Sequence, residues 1–244
     1  MLVKTIFAAA GLTGLYVAYA ACCQPAQVWG RGFHRGPRGR REIALTFDDG
    51  PSESTTAVLD VLQRYDLRVT FFVCGKNVER FPALVREIAA AGHEIGNHTY
   101  SHPGLLLRSA SQIRLELERT QDAIEEVAGL RPRLFRPPYG VRSPSLRGIQ
   151  DSLGLTTVMW TVIGNDWKLQ RAAITERVLR RADDGGIICL HDGHEVYHPA
   201  DRRETVAALP GIVEGLRERG FSFVTAGRML DELNRVAAGR AAPD

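Results

Sequence analysis

Four short stretches of this chain hold residue types that can do chemistry. In Thr46-Phe47-Asp48-Asp49-Gly50-Pro51 two carboxylates stand side by side, and such a pair repels itself unless a cation or a proton is shared. In His98-Thr99-Tyr100-Ser101-His102-Pro103 two histidines lie four apart, a spacing that brings both rings to one point on a helical turn. No Glu follows the first of them, so a carboxylate and a base have to come from elsewhere. Asp48 and Asp49 are the obvious source. Arg136-Pro137-Pro138-Tyr139-Gly140 is a loop stiffened by two prolines; it can present a backbone N–H to a developing oxyanion, and Arg136 can hold a carboxylate. Asp166-Trp167 and Leu190-His191-Asp192 complete the set. An Asp that orients an imidazolium recurs wherever a His donates a proton, and Trp167 with Leu190 can wall off a small apolar group. Taken singly, each stretch has a plain alternative: an Asp-Gly turn, solvated imidazoles, a Pro-rich turn, a core Trp.

Hydrophobic periodicity supplies the elements that must position these groups. Strands are predicted over 42–47, 69–73, 94–96, 134–136, 156–162, 186–190 and 221–225. Helices are predicted over 54–65, 82–91, 111–127, 146–152, 172–182, 205–219 and 226–237. Short strands alternating with helices imply an α/β fold with a parallel sheet and helices outside. The strand count suggests a distorted or incomplete (β/α) barrel, a single domain over 41–238 with a tail at 239–244. Working residues of such barrels sit at the C-terminal strand ends. Asp48-Asp49, His98, Arg136, Asp166 and His191 all follow strands. A random scatter of polar residues would not collect there.

Charge is unevenly spread over the 244 residues. Residues 1–41 hold six basic and no acidic side chains, so the remainder carries 25 basic and 28 acidic ones, a net −3. A mildly acidic body argues against a nucleic-acid partner. The 19 residues from Thr5 to Cys23 carry no charge and follow Lys4. With Ala18-Tyr19-Ala20 as a small-x-small pattern they read as a signal peptide over 1–20, or as an uncleaved membrane anchor of just spanning length. Cys22 after Ala20-Ala21 leaves lipidation open. Residues 21–40, rich in Gly, Arg and Pro from Gly30 onward, read as a solvated linker, or as a basic patch for anionic headgroups or wall polymers. Cys74 and Cys189 lie in apolar runs and read as small buried hydrophobes. His93, His194 and His198 match no required role and read as surface or subsite residues.

In order and spacing the motifs resemble the polysaccharide deacetylase family (NodB homology domain, carbohydrate esterase family 4). The likeness runs over roughly residues 41–230 and is carried by Thr46–Pro51, Gly92–Pro103, Arg136–Gly140 and Leu190–Asp192. The resemblance implies that Asp49, His98 and His102 bind a divalent metal and that Asp48 is the general base. It implies that Arg136 orients Asp48, that Tyr139 gives its backbone N–H to the oxyanion, and that Asp166 tunes His191, the general acid. Tyr139, Trp167 and Leu190 would contact substrate, the latter two around the acetyl methyl. Many relatives carry an acid three residues before the Asp-Trp pair, where this chain has Ile163. Two His and one carboxylate suit catalytic zinc and also non-haem iron; the resemblance favours Zn2+, with Co2+ or another transition metal on the same ligands. The implied activity is metal-dependent removal of N-acetyl groups from extracytoplasmic amino-sugar polymers such as peptidoglycan, chitin or poly-N-acetylglucosamine, by a monomer. Rival readings are an O-acetyl esterase on xylan, another amide hydrolase on the same site, and a non-catalytic carbohydrate-binding relative.

The leader generates a prediction about location. Fractionation with mass spectrometry of the mature N-terminus should find the chain outside the cytosol, starting at Ala21 if the leader is cleaved or at Met1 in membranes if it anchors. Full-length chain confined to the cytosol would contradict export.

Overall fold

A computed structural model describes residues 13–196 and 199–241. The leader residues before 13 and His198 lie outside the described residues. A helix over residues 13–22 (α1) leads into β1 (Gly32–Phe33), β2 (Glu42–Asp48), α2 (Thr55–Arg64), β3 (Thr70–Val73), α3 (Gly75–Arg80), α4 (Pro82–Ala90) and β4 (Glu94–Asn97). Then follow α5 (Ala110–Ala128), β5 (Leu134–Phe135), α6 (Leu146–Leu153), β6 (Thr156–Val158) and β7 (Val162–Ile163). The chain ends with α7 (Arg171–Arg181), β8 (Ile187–His191), α8 (Arg203–Glu218), β9 (Ser222–Val224) and α9 (Ala226–Ala241). Among the described residues no helix is long and apolar enough to cross a membrane.

Every strand pair is parallel, in the order β1-β6-β5-β4-β3-β2-β8-β7, with β9 beside β2. Sequence periodicity suggested one strand over 156–162; the chain breaks it into β6 and β7, which stand six places apart. Across a flat sheet that is about 29 Å at about 4.8 Å per strand. Yet only residues 159–161 join them, and four Cα–Cα steps reach at most about 14 Å. The sheet must curl. Met159 N–H still bonds Phe33 O at 2.8 Å and Thr161 N–H bonds Ile187 O at 2.9 Å, so the crossing segment stitches the two sides of a partly closed barrel.

The period of two along β2 sorts its side chains between two cores. Ile43, Leu45 and Phe47 face the helices with Val58, Val61, Leu209 and Ile212, while Ala44 joins Phe72, Leu134, Val158 and Ile187 in the second cluster. Thr46 and Asp48 continue the inner row toward the C-terminal end. Each fully buried aliphatic or aromatic side chain adds roughly 1.5–3 kcal/mol. α5 starts one residue earlier than its periodicity suggests because Ser109 and Gln112 form a reciprocal cap, and it stops at Gly129, whose φ of 68° is left-handed.

Two stretches depart from the sequence reading. α3 is not among the helices that periodicity predicts; at 6 residues it is too short to show a period. The basic stretch is not wholly solvated. Gly32 and Phe33 pair with Thr157 and Val158 of β6, and Arg31, Arg35 and Arg40 reach Asp151, Asp183 and Glu232 at 3.3, 2.7 and 2.9 Å. Its charge meets the acids of its own body. Further upstream, Ala20, Ala21 and Ala26 are buried, and the buried Arg142 guanidinium donates to the carbonyls of Cys23 and Ala26.

Arg142→Ala should therefore strip partners from two backbone carbonyls and destabilise the protein by about 2 kcal/mol or more. Residues 20–26 should then become sensitive to limited proteolysis while the body stays resistant, read by peptide mapping beside a thermal melt.

Candidate active site and metal centre

The C-terminal strand ends converge on a cavity of about 370 Å3 lined by Asp48, Asp49, His98, His102, Tyr139 and His191, among others. Asp48 ends β2 on its inner face. Arg136, with no exposure to solvent, follows β5 and donates from Nη1 to Asp48 Oδ1 at 2.6 Å and Thr46 Oγ1 at 2.8 Å. Its Nε donates to Val158 O at 3.0 Å, and its guanidinium lies 4.1 Å from the Phe72 ring centre. The base candidate is thus fixed by a buried cation that is itself fixed on every side.

Asp49 does not continue the strand. Its φ is 72°, which swings its carboxylate away from Asp48 toward β4, and Asn77 Nδ2 on α3 anchors its carbonyl at 2.7 Å. Asp49 Oδ1 lies 3.2 Å from His98 Nε2 and 3.1 Å from His102 Nε2, all three buried. The histidines do not meet through a helical turn. Residues 98–102 are irregular, with φ of 68° at Thr99 and 56° at His102. Asn97 Oδ1 accepts the Thr99 N–H at 2.8 Å, and Glu116 accepts those of Tyr100 and Ser101 at 2.9 and 2.7 Å. A carboxylate from α5 thus shapes the bend, a partner 14 residues beyond His102 that local spacing does not reveal.

The donor set fits a divalent metal. His98 Nδ1 sits 2.7 Å from the Arg136 carbonyl, so it carries the proton and leaves Nε2 as a lone pair aimed at a carboxylate oxygen. Two acceptors facing each other require positive charge between them, from a second proton or from a metal. His102 Nδ1 is buried without a hydrogen-bond partner. Burial works to raise the Asp49 carboxyl, but His102 and His98 outweigh it and hold it well below the usual carboxylate range. The three ligand atoms lie within 4.8 Å of one another, a cluster that an ion with bonds of about 2.0–2.2 Å would draw together.

Opposite stands His191 at the end of β8. Asp166 accepts from its ring Nδ1 at 2.9 Å and its backbone N–H at 2.8 Å, and from Thr205 Oγ1 at 2.9 Å. Burial disfavours the imidazolium, yet Asp166, with Asp49 and Asp48 behind it, pushes the His191 pKa up to about 9. The ring is cationic at neutral pH. Trp167 packs edge-on against it at 5.0 Å. Asp192 turns the other way. Its Oδ2 accepts from Thr55 Oγ1 at 2.6 Å, and a Cβ on Gly50 would lie 2.1 Å from that oxygen. Gly50 is glycine because of this close approach, and Asp192 packs the Asp-Gly turn from behind. Burial pushes the Asp192 carboxyl up to about 7.

Tyr139 has φ 58° between Pro138 and Gly140, and its exposed side chain donates to Glu195 Oε1 at 2.9 Å across the cavity. Trp160, Ile163 and Trp167 give apolar wall.

Leu190 is a correction. Period two along β8 sends Ile188 and Leu190 into the helix-facing core, so the residue that lines the cavity is Cys189. Its thiol, pushed well above its usual range by burial and by Asp48, donates to Asp48 Oδ2 at 3.3 Å. Cys189 is therefore more than a buried hydrophobe. Alternation counted back from His191 was the signal that could have found it. His93 is not a surface residue: it is buried edge-on against Phe71 at 5.4 Å, its Nδ1 accepts the Val69 N–H, and burial lowers it to about 4. His194 lines the cavity, as does Arg202, which no motif pointed to and which holds Gly193 O at 2.8 Å.

Comparison with known proteins gives the same frame. A family model described as polysaccharide deacetylase matches residues 35–158. Peptidoglycan-N-acetylglucosamine deacetylase PgdA of Listeria monocytogenes serotype 1/2a is 38% identical over 195 residues, 79% of this chain and 39% of that protein. The chain thus spans about two fifths of that relative's length. The structure of the Bc1960 peptidoglycan N-acetylglucosamine deacetylase, in complex with 4-naphthalen-1-yl-N-oxidanyl-benzamide, is similar at TM-score 0.75 and 36% identity over 80% of this chain and 91% of that one. A carbohydrate esterase family 4 pseudoenzyme from Bacillus anthracis is similar at TM-score 0.76 and 29% identity, over 82% of this chain and 69% of that one. Motifs, curled sheet and family match agree, and the chain belongs to the polysaccharide deacetylase family.

Proposed function

We propose that the chain is a metal-dependent hydrolase that removes N-acetyl groups from amino-sugar polymers outside the cytoplasm, with peptidoglycan first among them. One observation carries the reading: a metal-fitting Asp49-His98-His102 trio shares its cavity with an arginine-held carboxylate and an aspartate-held imidazolium. Because a pseudoenzyme has the same fold, the complete set of groups matters more than the fold. The peptidoglycan deacetylases among the relatives support the substrate class, and the uncharged leader supports export.

Asp49, His98 and His102 would hold the metal, zinc being the ion we favour and Co2+ or another transition metal fitting the same donors. When bound, it supplies Lewis acidity to the amide carbonyl and lowers the pKa of the attacking water. Asp48, held through Oδ1 by Arg136, takes the proton from that water at its other oxygen. The Tyr139 N–H, presented by a left-handed residue in a proline-stiffened turn, stabilises the oxyanion. His191 donates its Nε2 proton to the departing sugar amine, because an unprotonated amide nitrogen is a very poor leaving group. Asp166 keeps the proton on Nδ1 and sets the charge. Trp167, with Trp160 and Ile163, flanks the acetyl methyl.

Acetate release from N-acetylated and O-acetylated polymers tests the activity; turnover of acetylxylan alone would favour the esterase, and turnover of neither polymer the non-catalytic relative. Base and ligand should separate by metal analysis. Asp48→Asn should retain metal and lose at least about 100-fold in kcat, whereas Asp49→Asn, His98→Ala or His102→Ala should lose metal and activity together.

The acid generates a pH prediction. Since the raised His191 pKa keeps the imidazolium through neutral pH, kcat/KM should fall as pH rises through about 9. Asp166→Asn removes the anion that raises it, so this alkaline limb should move down by about one pH unit or more, read from the pH–rate profile.

A further inference from the structure

The deacetylation scheme uses Asp48 and His191 and leaves Cys189 without a task. Cys189 lies two residues before His191 on β8, so both side chains face inward. On the neighbouring strand Thr46 and Asp48 are their register partners. One oxygen, one sulfur and one nitrogen thus meet: the ligand atoms of Asp48, Cys189 and His191 lie within 4.8 Å of one another. All three residues line the cavity, with Asp48 and Cys189 buried and His191 part-exposed.

Their coordinating atoms are already sorted. Arg136 takes Asp48 Oδ1, while Oδ2 faces Cys189 Sγ at 3.3 Å. Asp166 takes His191 Nδ1, which turns Nε2 to the cavity. Thiolate, imidazole and carboxylate together suit zinc or cadmium, and sulfur excludes magnesium and calcium, which require oxygen ligands. The Asp49-His98-His102 trio has no sulfur, so the two sites differ in softness.

We propose that Asp48, Cys189 and His191 form a second, thiophilic cation site whose filling shuts the active site. Binding breaks the Cys189 Sγ–H and His191 Nε2–H bonds, releases both protons to solvent and forms sulfur–metal and nitrogen–metal bonds, with no change of oxidation state. A cation there takes the lone pair with which Asp48 accepts a proton and the Nε2 position from which His191 donates one. The inhibition rests on the deacetylase reading; the binding does not.

The test uses full-length chain carrying Cys22→Ser and Cys23→Ser, stripped of metal and titrated with cadmium chloride under equilibrium dialysis and ultraviolet spectroscopy. Two cadmium ions per chain are expected, one of them bringing a thiolate-to-cadmium charge-transfer band. Cys189→Ala, and the near-isosteric Cys189→Ser, should lose the band and weaken the second ion at least tenfold. In the zinc-loaded protein, excess cadmium or zinc should suppress acetate release at least tenfold, excess magnesium should not, and Cys189→Ala should escape the suppression. One ion per chain, no sulfur band, or an unchanged second ion in both Cys189 variants overturns the site. A second ion with its band in a chain that releases no acetate supports the site and sinks the deacetylase reading instead.

Discussion

A guanidinium with no contact with solvent, pinned inside a curled parallel sheet, is the constraint around which this molecule is organised. Arg136 touches β2 through Thr46 and Asp48, the end of β6 through the Val158 carbonyl, and β3 through the Phe72 ring. Burying such a charge is costly unless each of its donors is satisfied. Here the barrel interior supplies a carboxylate, a hydroxyl and a carbonyl. Removing one partner of a buried pair of this kind costs about 3–5 kcal/mol, so the sheet's curl and the carboxylate's position are enforced together.

Around that pin the backbone stores strain where side chains must turn aside from the strand direction. Asp49, Thr99, His102, Tyr139 and Asn165 all have φ between 55° and 72°, conformations that cost of order 1 kcal/mol each for residues with a Cβ. They lie at or beyond C-terminal strand ends. An extended residue would send its side chain up or down the sheet, whereas the left-handed turns at Asp49, His102 and Tyr139 bring theirs to the cavity. Asn77, Asn97 and Glu116 offset the strain with side-chain hydrogen bonds to Asp49 or to the 98–102 bend. The supports come from α3, β4 and α5, so helices outside the barrel determine geometry within it.

Electrostatics is organised by the same enclosure. Asp48, Asp49, Asp166 and Asp192 are buried close together and could not all remain anionic without cations. Arg136 neutralises the first, His191 the third, and burial pushes the fourth up to about 7. Asp49 is left to its two imidazoles. That residual demand for positive charge gives the site its appetite for a metal. Outside, arginines of the basic stretch meet carboxylates of the acidic body, pairs at or near the surface that each contribute little alone but help tie residues 31–40 to the body.

The sequence by itself determined the alternation of strands and helices, the collection of Asp, His and Arg at strand ends, and the placing of Asp48 and His191 at the ends of β2 and β8. These follow from periods of 2 and 3.6 and from adjacency, which a chain carries locally. Only the tertiary structure decided that 156–162 breaks into strands on opposite sides of the barrel, that β1 binds through its backbone with no apolar pattern to announce it, and that residues 98–102 bend around Glu116. It also decided between Cys189 and Leu190. A run such as Ile187-Ile188-Cys189-Leu190 is apolar on both faces of its strand, so hydropathy leaves open which residue points inward; the pairing of β8 with β2, which sets His191 opposite Asp48, fixes it. Contacts between residues far apart in sequence depend on closure of the sheet, and closure is a property of the whole chain.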